Sequence, residues 1–285
     1  IFLVREFQPG LAPEEREVDD PIGGLLPEAS DATFGLVQVV DAIRHAKDDA
    51  RIKGIYLNTA MVMAGTATVE ELRDALHDFK ASGKWVIAYA DGYTEGAYFL
   101  ASIADKVYMN PDGIVEFNGL SAEVMFFKRM FDKLEIRPEV FKVGDFKSAV
   151  EPFVREDMSP ENRLQLNSML GSIHREMIRK IAADRKTTVS KLDDIADRML
   201  VRNAALSVEH GLVDSLAYED QVQAVIRGRM GLGKDERIPF IKYQEYRKTY
   251  QPKTGSKSEI AVIVADGSIM PGKADNGVVG STTII

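Results

Sequence analysis

The sequence of 285 residues contains no cysteine, which excludes disulfide bonds, thiolate nucleophiles and cysteine-ligated metal sites. It also lacks an excess of positive charge, because 44 acidic residues outnumber 36 lysines and arginines and leave a net charge of −8. A dedicated nucleic-acid-binding protein needs the opposite balance to neutralise phosphates. Hydrophobic residues at 45% and charged residues at 28% are ordinary for a globular protein and exclude general disorder.

Long hydrophobic runs are absent as well. The longest runs, residues 85–90 and 260–264, are far shorter than the ~20 residues that span a bilayer, and no signal peptide opens the chain. The first residue is Ile1 and not methionine, so we expect a segment upstream of it, where a membrane anchor could lie.

Several catalytic and metal-binding motifs are also missing. None of the four histidines has a partner at metal-ligand spacing, and there is no His-Glu-x-x-His, Gly-x-Ser-x-Gly, P-loop or Ser-x-x-Lys motif. His45, His77 and His174 lie in predicted helices among charged residues, which favours solvated side chains. The glycines between 228 and 233 lack dinucleotide-binding spacing and are predicted to end a helix.

Strand and helix patterns alternate along the chain. Hydrophobic patterns predict strands at residues 1–4, 52–57, 85–90, 106–109 and 238–243, and an extended segment at 139–143. Helices are predicted from about residue 33 and at 69–82, 96–102, 126–134, 160–185, 204–210 and 219–230. This alternation predicts an α/β fold with parallel strands joined by crossover helices.

The longest predicted helix begins after Ser159, an N-cap residue, with Pro160 in its first turn, and ends near Arg185. A stripe of apolar residues recurs every four positions along it: Met169, Ile173, Met177 and Ile181. Packing of this stripe on the core is the favoured interpretation, and a contact between subunits is the alternative.

A linker is predicted at residues 251–258, Gln-Pro-Lys-Thr-Gly-Ser-Lys-Ser. The predicted strand at 260–264 and the turn after it repeat the plan with which the chain opens. We therefore expect a first domain at residues 1–250, the linker at 251–258, and at 259–285 the truncated start of a second, homologous domain.

Lys147 is the candidate catalytic residue. It follows the predicted extended segment and a glycine turn, with apolar residues on both sides of it: Val143, Phe146, Ala149, Val150 and Phe153. Apolar surroundings lower the pKa of a lysine from ~10.4 toward neutrality, and a neutral amine can activate a serine hydroxyl as a general base. The alternatives are a solvated lysine and an ion pair with Glu151.

Residues 143–160, Val-Gly-Asp-Phe-Lys-Ser-Ala-Val-Glu-Pro-Phe-Val-Arg-Glu-Asp-Met-Ser-Pro, closely resemble the signal peptide peptidase A family, also called protease IV. The resemblance extends more weakly over residues 52–271, including Ala-Tyr-Phe-Leu-Ala-Ser at 97–102 and the apolar strand with its Asp-Gly turn at 260–270.

In the long form of that family, two tandem domains share one Ser/Lys dyad. The resemblance implies an α/β fold of the crotonase/ClpP-like kind, a repeated strand-helix (ββα) spiral with a helical extension. It places the lysine general base at Lys147 and the nucleophilic serine beyond Ile285. The implied activity is that of a serine protease that degrades cleaved signal peptides, and this fragment by itself would be inactive.

The first domain has no complete site of its own, according to the resemblance. Glu95 stands where the nucleophilic serine of the second domain would precede a Gly-Gly-Tyr stretch, and no Ser-Pro-Gly-Gly oxyanion loop follows Asn58. Ser148, the neighbour of Lys147, is expected to have a structural or lysine-orienting role.

The resemblance also implies hydrophobic peptides as substrates, a ring- or dome-shaped homo-oligomer, and an N-terminal membrane anchor outside this chain. The expected location is the bacterial inner membrane, with most of the protein facing the periplasm or exterior. No metal, organic cofactor or nucleic-acid partner is implied. Two other functions are consistent with the residues: a crotonase-like acyl-CoA enzyme, and a non-catalytic scaffold domain of an oligomer.

Overall fold

The computed structural model describes residues 2–5, 35–62, 64–250, 268–273 and 278–282. Over these ranges the central sheet has six strands: β1 (Phe2–Arg5), β2 (Gly54–Asn58), β3 (Trp85–Ala90), β4 (Lys106–Met109), β5 (Ser215–Leu216) and β6 (Ile241–Lys242). They lie in the order β5-β4-β3-β2-β1-β6, and every neighbouring pair is parallel. The predicted α/β architecture with parallel strands is confirmed.

The strands are connected mainly by helices, as parallel pairing requires. These are α1 (Leu36–Asp48), α2 (Thr66–Ala81), α3 (Glu95–Ala101), α4 (Lys128–Lys133), α5 (Glu151–Val154), α6 (Pro160–Asp184), α7 (Val189–Asp197), α8 (Ala204–Glu209), α9 (Glu219–Met230) and α10 (Tyr243–Arg247). Two further strands, β7 (Ser268–Met270) and β8 (Val278–Gly280), pair with each other in parallel. Within the described ranges, no helix is both long and apolar enough to cross a membrane.

Some predicted elements differ from the observed ones. The strand predicted at 238–243 is reduced to β6, because Tyr243 already begins α10, and no strand forms at 139–143. Helix α7 was not anticipated by the hydrophobic pattern. The glycine prediction is confirmed, since Gly231 ends α9 with a left-handed φ of 68°. The predicted linker at 251–258 and the predicted strand at 260–264 lie outside the described residues.

Both faces of the central sheet are buried. Alternate residues of β2 and β3 enter the main hydrophobic cluster on one face: Ile55, Leu57, Val86, Ala88 and Ala90. The residues between them enter a second cluster on the other face: Tyr56, Ile87 and Tyr89. Helix α9 covers the second face through Val222 and Ile226. This two-sided burial explains why the strands are short, apolar runs without polar alternation.

Helix α6 has the predicted bounds, and Ser159 caps it by accepting the N–H of Asn162 at 3.1 Å. Its apolar stripe, however, is buried over only part of its length. Met177 and Ile181 are in the core, whereas Met169 is 51% exposed. The favoured interpretation of the stripe as a core contact is therefore correct only for the carboxyl-terminal half of the helix.

An ion pair attaches the carboxyl end of α6 to the body of the domain. Arg73 on α2 is 1% exposed and donates hydrogen bonds to the carboxylate of Asp184 and to the carbonyl of Phe99. It also donates to Ser102 Oγ at 2.9 Å, and the Phe99 ring lies 4.2 Å from the guanidinium carbon. One side chain thus joins the ends of α3 and α6 to the middle of α2.

We expect Asp184→Asn to lower the free energy of unfolding by about 3 kcal/mol or more, because removing one partner leaves the Arg73 charge buried without compensation. Chemical denaturation monitored by circular dichroism measures this change. Asp194→Asn is the matched control, since Asp194 pairs with Arg198 on the exposed surface of α7 and its loss should cost less than about 1 kcal/mol. Equal losses in the two variants would contradict the assignment.

Candidate active site

Residues 121–158 form a segment, here called the arm, that lies outside the hydrophobic core. It contains α4, α5 and a 3₁₀ turn at Ser148–Val150. Large apolar side chains of the arm are exposed: Met125, Met130, Leu134, Ile136, Phe141, Val143, Phe146 and Phe153. Within the arm, Phe127 and Phe131 stack on Phe153 with ring centroids 6.3 and 6.1 Å apart.

Lys147 lies in the arm directly before the 3₁₀ turn, and its side chain is exposed. Its N–H donates to the carbonyl of Gly144 at 3.4 Å, and Gly144 has the positive φ of 90° that a glycine turn provides. The apolar surroundings expected for Lys147 are not found among the residues that the structure describes, where Val143 is 89% and Phe146 55% exposed. In the described part of the chain, the exposure of Lys147 agrees with the alternative of a solvated lysine.

Glu151 does not pair with Lys147. It is 1% exposed, and its carboxylate accepts hydrogen bonds from Ser159 Oγ, from Ser159 N at 3.1 Å and from Asn162 Nδ2 at 3.1 Å. Burial by itself raises the pKa of Glu151, but these hydrogen bonds stabilise the ionised form and leave the pKa below its ordinary value. The ion-pair alternative for Lys147 is wrong, because the carboxylate is directed to the start of α6.

Ser148 is half-buried and begins the 3₁₀ turn, where its carbonyl accepts the N–H of Glu151. Its backbone therefore has a structural role. The expected effect of its hydroxyl on the orientation of Lys147 stays a prediction.

Helix α3 begins where the resemblance places a nucleophile. Thr94 caps it by accepting the N–H of Ala97 at 3.4 Å, and Glu95 is its first residue. Burial raises the pKa of Glu95 to about 6, with the N–H of Gly119 opposing the rise and the charge of Glu116 adding to it. This position therefore holds a half-buried carboxyl group that is partly protonated in mildly acidic solution, and not a nucleophilic hydroxyl.

The loop after β2 contacts the start of α3, because the carboxyl ends of neighbouring parallel strands meet at one edge of the sheet. The carbonyl of Ala60 accepts the N–H of Thr94 at 3.0 Å, and the buried Thr59 donates its hydroxyl to the carbonyl of Met61 at 3.0 Å. Tyr93 forms a parallel bridge with Val115, which brings the chain leading into the arm to the same edge. The chain therefore leaves the body close to Glu95 and continues into the arm.

The histidine side chains differ in exposure more than predicted. His77 is 51% exposed, as expected, and lies 3.2 Å from a carboxylate oxygen of Asp184. His45 and His174 are only partly exposed: the ring of His45 stacks on Tyr250 at a centroid distance of 3.9 Å, and Nε2 of His174 is buried. Among the residues that the structure describes, no three His, Asp or Glu side chains are arranged as metal ligands.

We expect Glu95→Gln to stabilise the protein above about pH 6, by on the order of 1–2 kcal/mol, and to have little effect below about pH 4.5. The folded-state pKa is raised, so the protonated form of Glu95 favours folding, and that contribution is lost as the pH rises from about 4.5 to about 6. The neutral amide of Gln does not titrate, so the variant does not lose this stability. Denaturant unfolding of both proteins at several pH values measures the difference in the free energy of unfolding.

Glu71→Gln is the matched control, because Glu71 is exposed on α2, and the substitution should change the free energy of unfolding by less than about 0.5 kcal/mol. A Glu95 variant whose stability follows the wild type at every pH would show that the carboxyl group is not desolvated.

Comparisons with known proteins identify the family. Residues 78–232, more than half of the chain, match the model of Peptidase family S49. The matched span includes α3, the arm and α6, and therefore both Glu95 and Lys147.

Three curated relatives carry protease names. "Protease 4" of Salmonella typhi is 35% identical over 257 residues, which are 87% of this chain and 41% of the relative. "Protease 4" of Haemophilus influenzae is 34% identical over 276 residues, 93% of this chain and 45% of the relative. "Serine protease SPPA, chloroplastic" of Arabidopsis thaliana is 27% identical over 270 residues, 92% of this chain and 39% of the relative.

The chain spans less than half the length of each of these relatives. The resemblance noted from the sequence is confirmed, because the family match and the relatives agree along the body and the arm. The chain belongs to peptidase family S49, which includes Protease 4, the signal peptide peptidase A.

Proposed function

We propose that this chain is the lysine-bearing part of a serine endopeptidase in which Lys147 is the general base of a Ser/Lys dyad. The observation that supports it is the position of Lys147: an exposed amine at the start of a short helical stretch, in a chain that belongs to a peptidase family. The nucleophilic serine would come from a second domain of the same protein, beyond Ile285. This chain by itself would then have no peptidase activity.

The proposed domain arrangement follows the same division. Residues 1–250 would form a crotonase/ClpP-like domain, residues 251–258 a linker, and residues 259–285 the start of a second, homologous domain. The parallel sheet with helices on both faces supports a crotonase-like spiral for the first domain. Within the described residues, β7 and β8 pair only with each other, which supports a separate unit after the linker.

In the proposed mechanism, the neutral Nζ of Lys147 takes the proton of the serine hydroxyl while the serine oxygen attacks the carbonyl carbon of the scissile peptide bond. Backbone N–H groups of the second domain stabilise the resulting oxyanion. The Lys147 ammonium then gives its proton to the amine as the C–N bond breaks. Water, deprotonated by the neutral Nζ of Lys147, attacks the acyl carbon, and the resulting ammonium returns its proton to the serine oxygen as the ester bond breaks.

The exposure of Lys147 in this chain is compatible with that mechanism only if another surface covers the arm. A solvated ammonium group keeps its proton at neutral pH, whereas removal of water favours the neutral amine. Val143 and Phe146 are exposed beside Lys147 and provide an apolar rim for such a covering surface. The second domain of the same protein, or of a neighbouring subunit, would complete the site.

The same apolar rim supports hydrophobic peptides as substrates, and we infer that these are signal peptides after their release from secreted proteins. A homo-oligomer is also proposed, and the exposed half of α6 offers a contact surface for it, since Leu164 is 63% and Met169 51% exposed. The proposal includes an N-terminal membrane anchor upstream of this chain and a bacterial inner-membrane location, with most of the protein facing the periplasm or exterior.

The test is cleavage of an apolar fluorogenic peptide by the full-length protein. We expect Lys147→Ala to lower turnover on the order of 10³-fold or more, the typical cost of removing one member of a catalytic unit. Lys142→Ala is the matched control, because Lys142 is an exposed lysine in the same arm, and its turnover should equal that of the wild type.

Labelling with a fluorophosphonate probe provides a second readout, because it reports activation of the serine without peptide binding. Undiminished turnover and labelling in Lys147→Ala would remove Lys147 from the mechanism. Failure of the wild type to cleave or label would favour the scaffold or acyl-CoA alternatives, and thermal stabilisation by an acyl-CoA would select the latter.

A further inference from the structure

The arm contains only one buried side chain, and it is a carboxylate. Among residues 121–158, all of which the structure describes, Glu151 alone is buried. Burial of an ionised carboxylate is unfavourable unless donors satisfy its oxygens. Glu151 has three such donors, all at the start of α6. A hydrogen-bonded charge therefore attaches this part of the arm to the first turn of α6.

Helix α6 fixes the positions of these donors. The Ser159 hydroxyl donates to Glu151 and accepts the N–H of Asn162, so one group caps the helix and binds the carboxylate. Ser159 and Asn162 are both buried. The geometry of the carboxylate is thus determined by the first turn of a 25-residue helix.

The opposite end of α6 is fixed in the core. Ile178 and Ile181 are buried in the main hydrophobic cluster, and Asp184 forms the ion pair with Arg73. A rigid element therefore extends from the core to the donors of Glu151. Other contacts of the arm, such as the stacking of Phe127 on Phe153 and the hydrogen bond from Phe127 N to the carbonyl of Pro152 at 2.7 Å, join parts of the arm to each other.

Glu151 is connected to Lys147 through the backbone. The 3₁₀ turn at Ser148–Val150 continues directly into α5, so residues 148–154 form one helical stretch. Glu151 N–H donates to the carbonyl of Ser148, and Arg155 N–H donates to the carbonyl of Glu151 at 2.8 Å. Lys147 is the residue from which this stretch begins, so its Cα follows any movement of the stretch.

We propose that Glu151 is a positioning residue for Lys147: its hydrogen bonds to Ser159 and Asn162 hold the helical stretch that presents the lysine amine to the nucleophilic serine. This inference rests on the proposed function of Lys147 as the base. Glu151 contacts neither the amine nor the reacting atoms and acts through the backbone. Proton transfer depends on sub-ångström placement, so loss of this attachment slows the chemical step.

The test uses the full-length protein and the apolar fluorogenic peptide. Glu151→Ala is expected to lower kcat by about 10- to 100-fold while KM changes by less than about twofold. Glu151→Gln is expected to keep kcat within about threefold, because its amide oxygen can accept from Ser159 N and Asn162 Nδ2 while its NH₂ donates to Ser159 Oγ. Glu156→Ala, which removes an exposed carboxylate of the arm, is the control and leaves kcat unchanged.

Two further measurements separate positioning from a general structural effect. Amide hydrogen exchange in Glu151→Ala should become faster at residues 147–154 while strands β2 and β3 keep their protection. In the Lys147→Ala background, adding Glu151→Ala should change the residual rate by less than about twofold, because a residue that acts through Lys147 has no effect once the amine is gone.

The outcomes distinguish this inference from the proposed function. Wild-type kcat in Glu151→Ala, with turnover lost in Lys147→Ala, would overturn the positioning role and leave the dyad intact. Additive losses in the double variant, or faster exchange throughout the core strands, would assign Glu151 to folding alone and overturn the inference. Full turnover in Lys147→Ala would overturn both.

Discussion

The buried ion pair between Arg73 and Asp184 is the interaction on which the geometry of the site depends. It holds the end of α6 against α2 and the end of α3, in a region where Ile178 and Ile181 already pack in the core. A helix anchored at one end can project its other end beyond the body without losing its direction. The arm begins beside α3 and returns at the projecting end of α6, so both of its connections depend on this helix packing.

The two buried charges of this region have different roles in the fold. Arg73 is surrounded by the main core, and its hydrogen bonds link three helices that hydrophobic packing has already brought together. Glu151 lies in the arm, and its hydrogen bonds attach the stretch that carries Lys147 to the first turn of α6. A hydrogen-bonded carboxylate requires specific directions from its donors, whereas apolar contacts tolerate sliding. That directional requirement suits a segment whose position matters more than its stability.

The proposed site at Lys147 is incomplete in the described part of the chain, because the lysine and the apolar side chains beside it are exposed. Val143 and Phe146, beside Lys147, are exposed to water at a cost that a covering surface would remove. The same covering would desolvate the amine and bury the apolar rim. In the proposed division of the site between two domains, assembly of the domains and activation of the lysine would be coupled.

The local features of this protein could be predicted from its sequence. Sequence periodicity and capping residues predicted the alternation of strands and helices, the bounds of β3 and β4, and the start of α6 at Ser159-Pro160. These features depend on only a few neighbouring residues. The family was also predicted from consecutive residues, because the segment around Lys147 resembles it without gaps.

The partners of these residues were decided only by the tertiary structure. Met169 and Met177 have the same place in one helical stripe, yet the first is exposed and the second buried, because only part of α6 has the body opposite it. Glu151 is four residues from Lys147 but binds residues eight and eleven positions away, since the chain turns back before α6. The sequence by itself determined which groups are present and which local elements they form; the packing of α6 decided which of them meet, because contact between distant residues is set by the arrangement of whole elements.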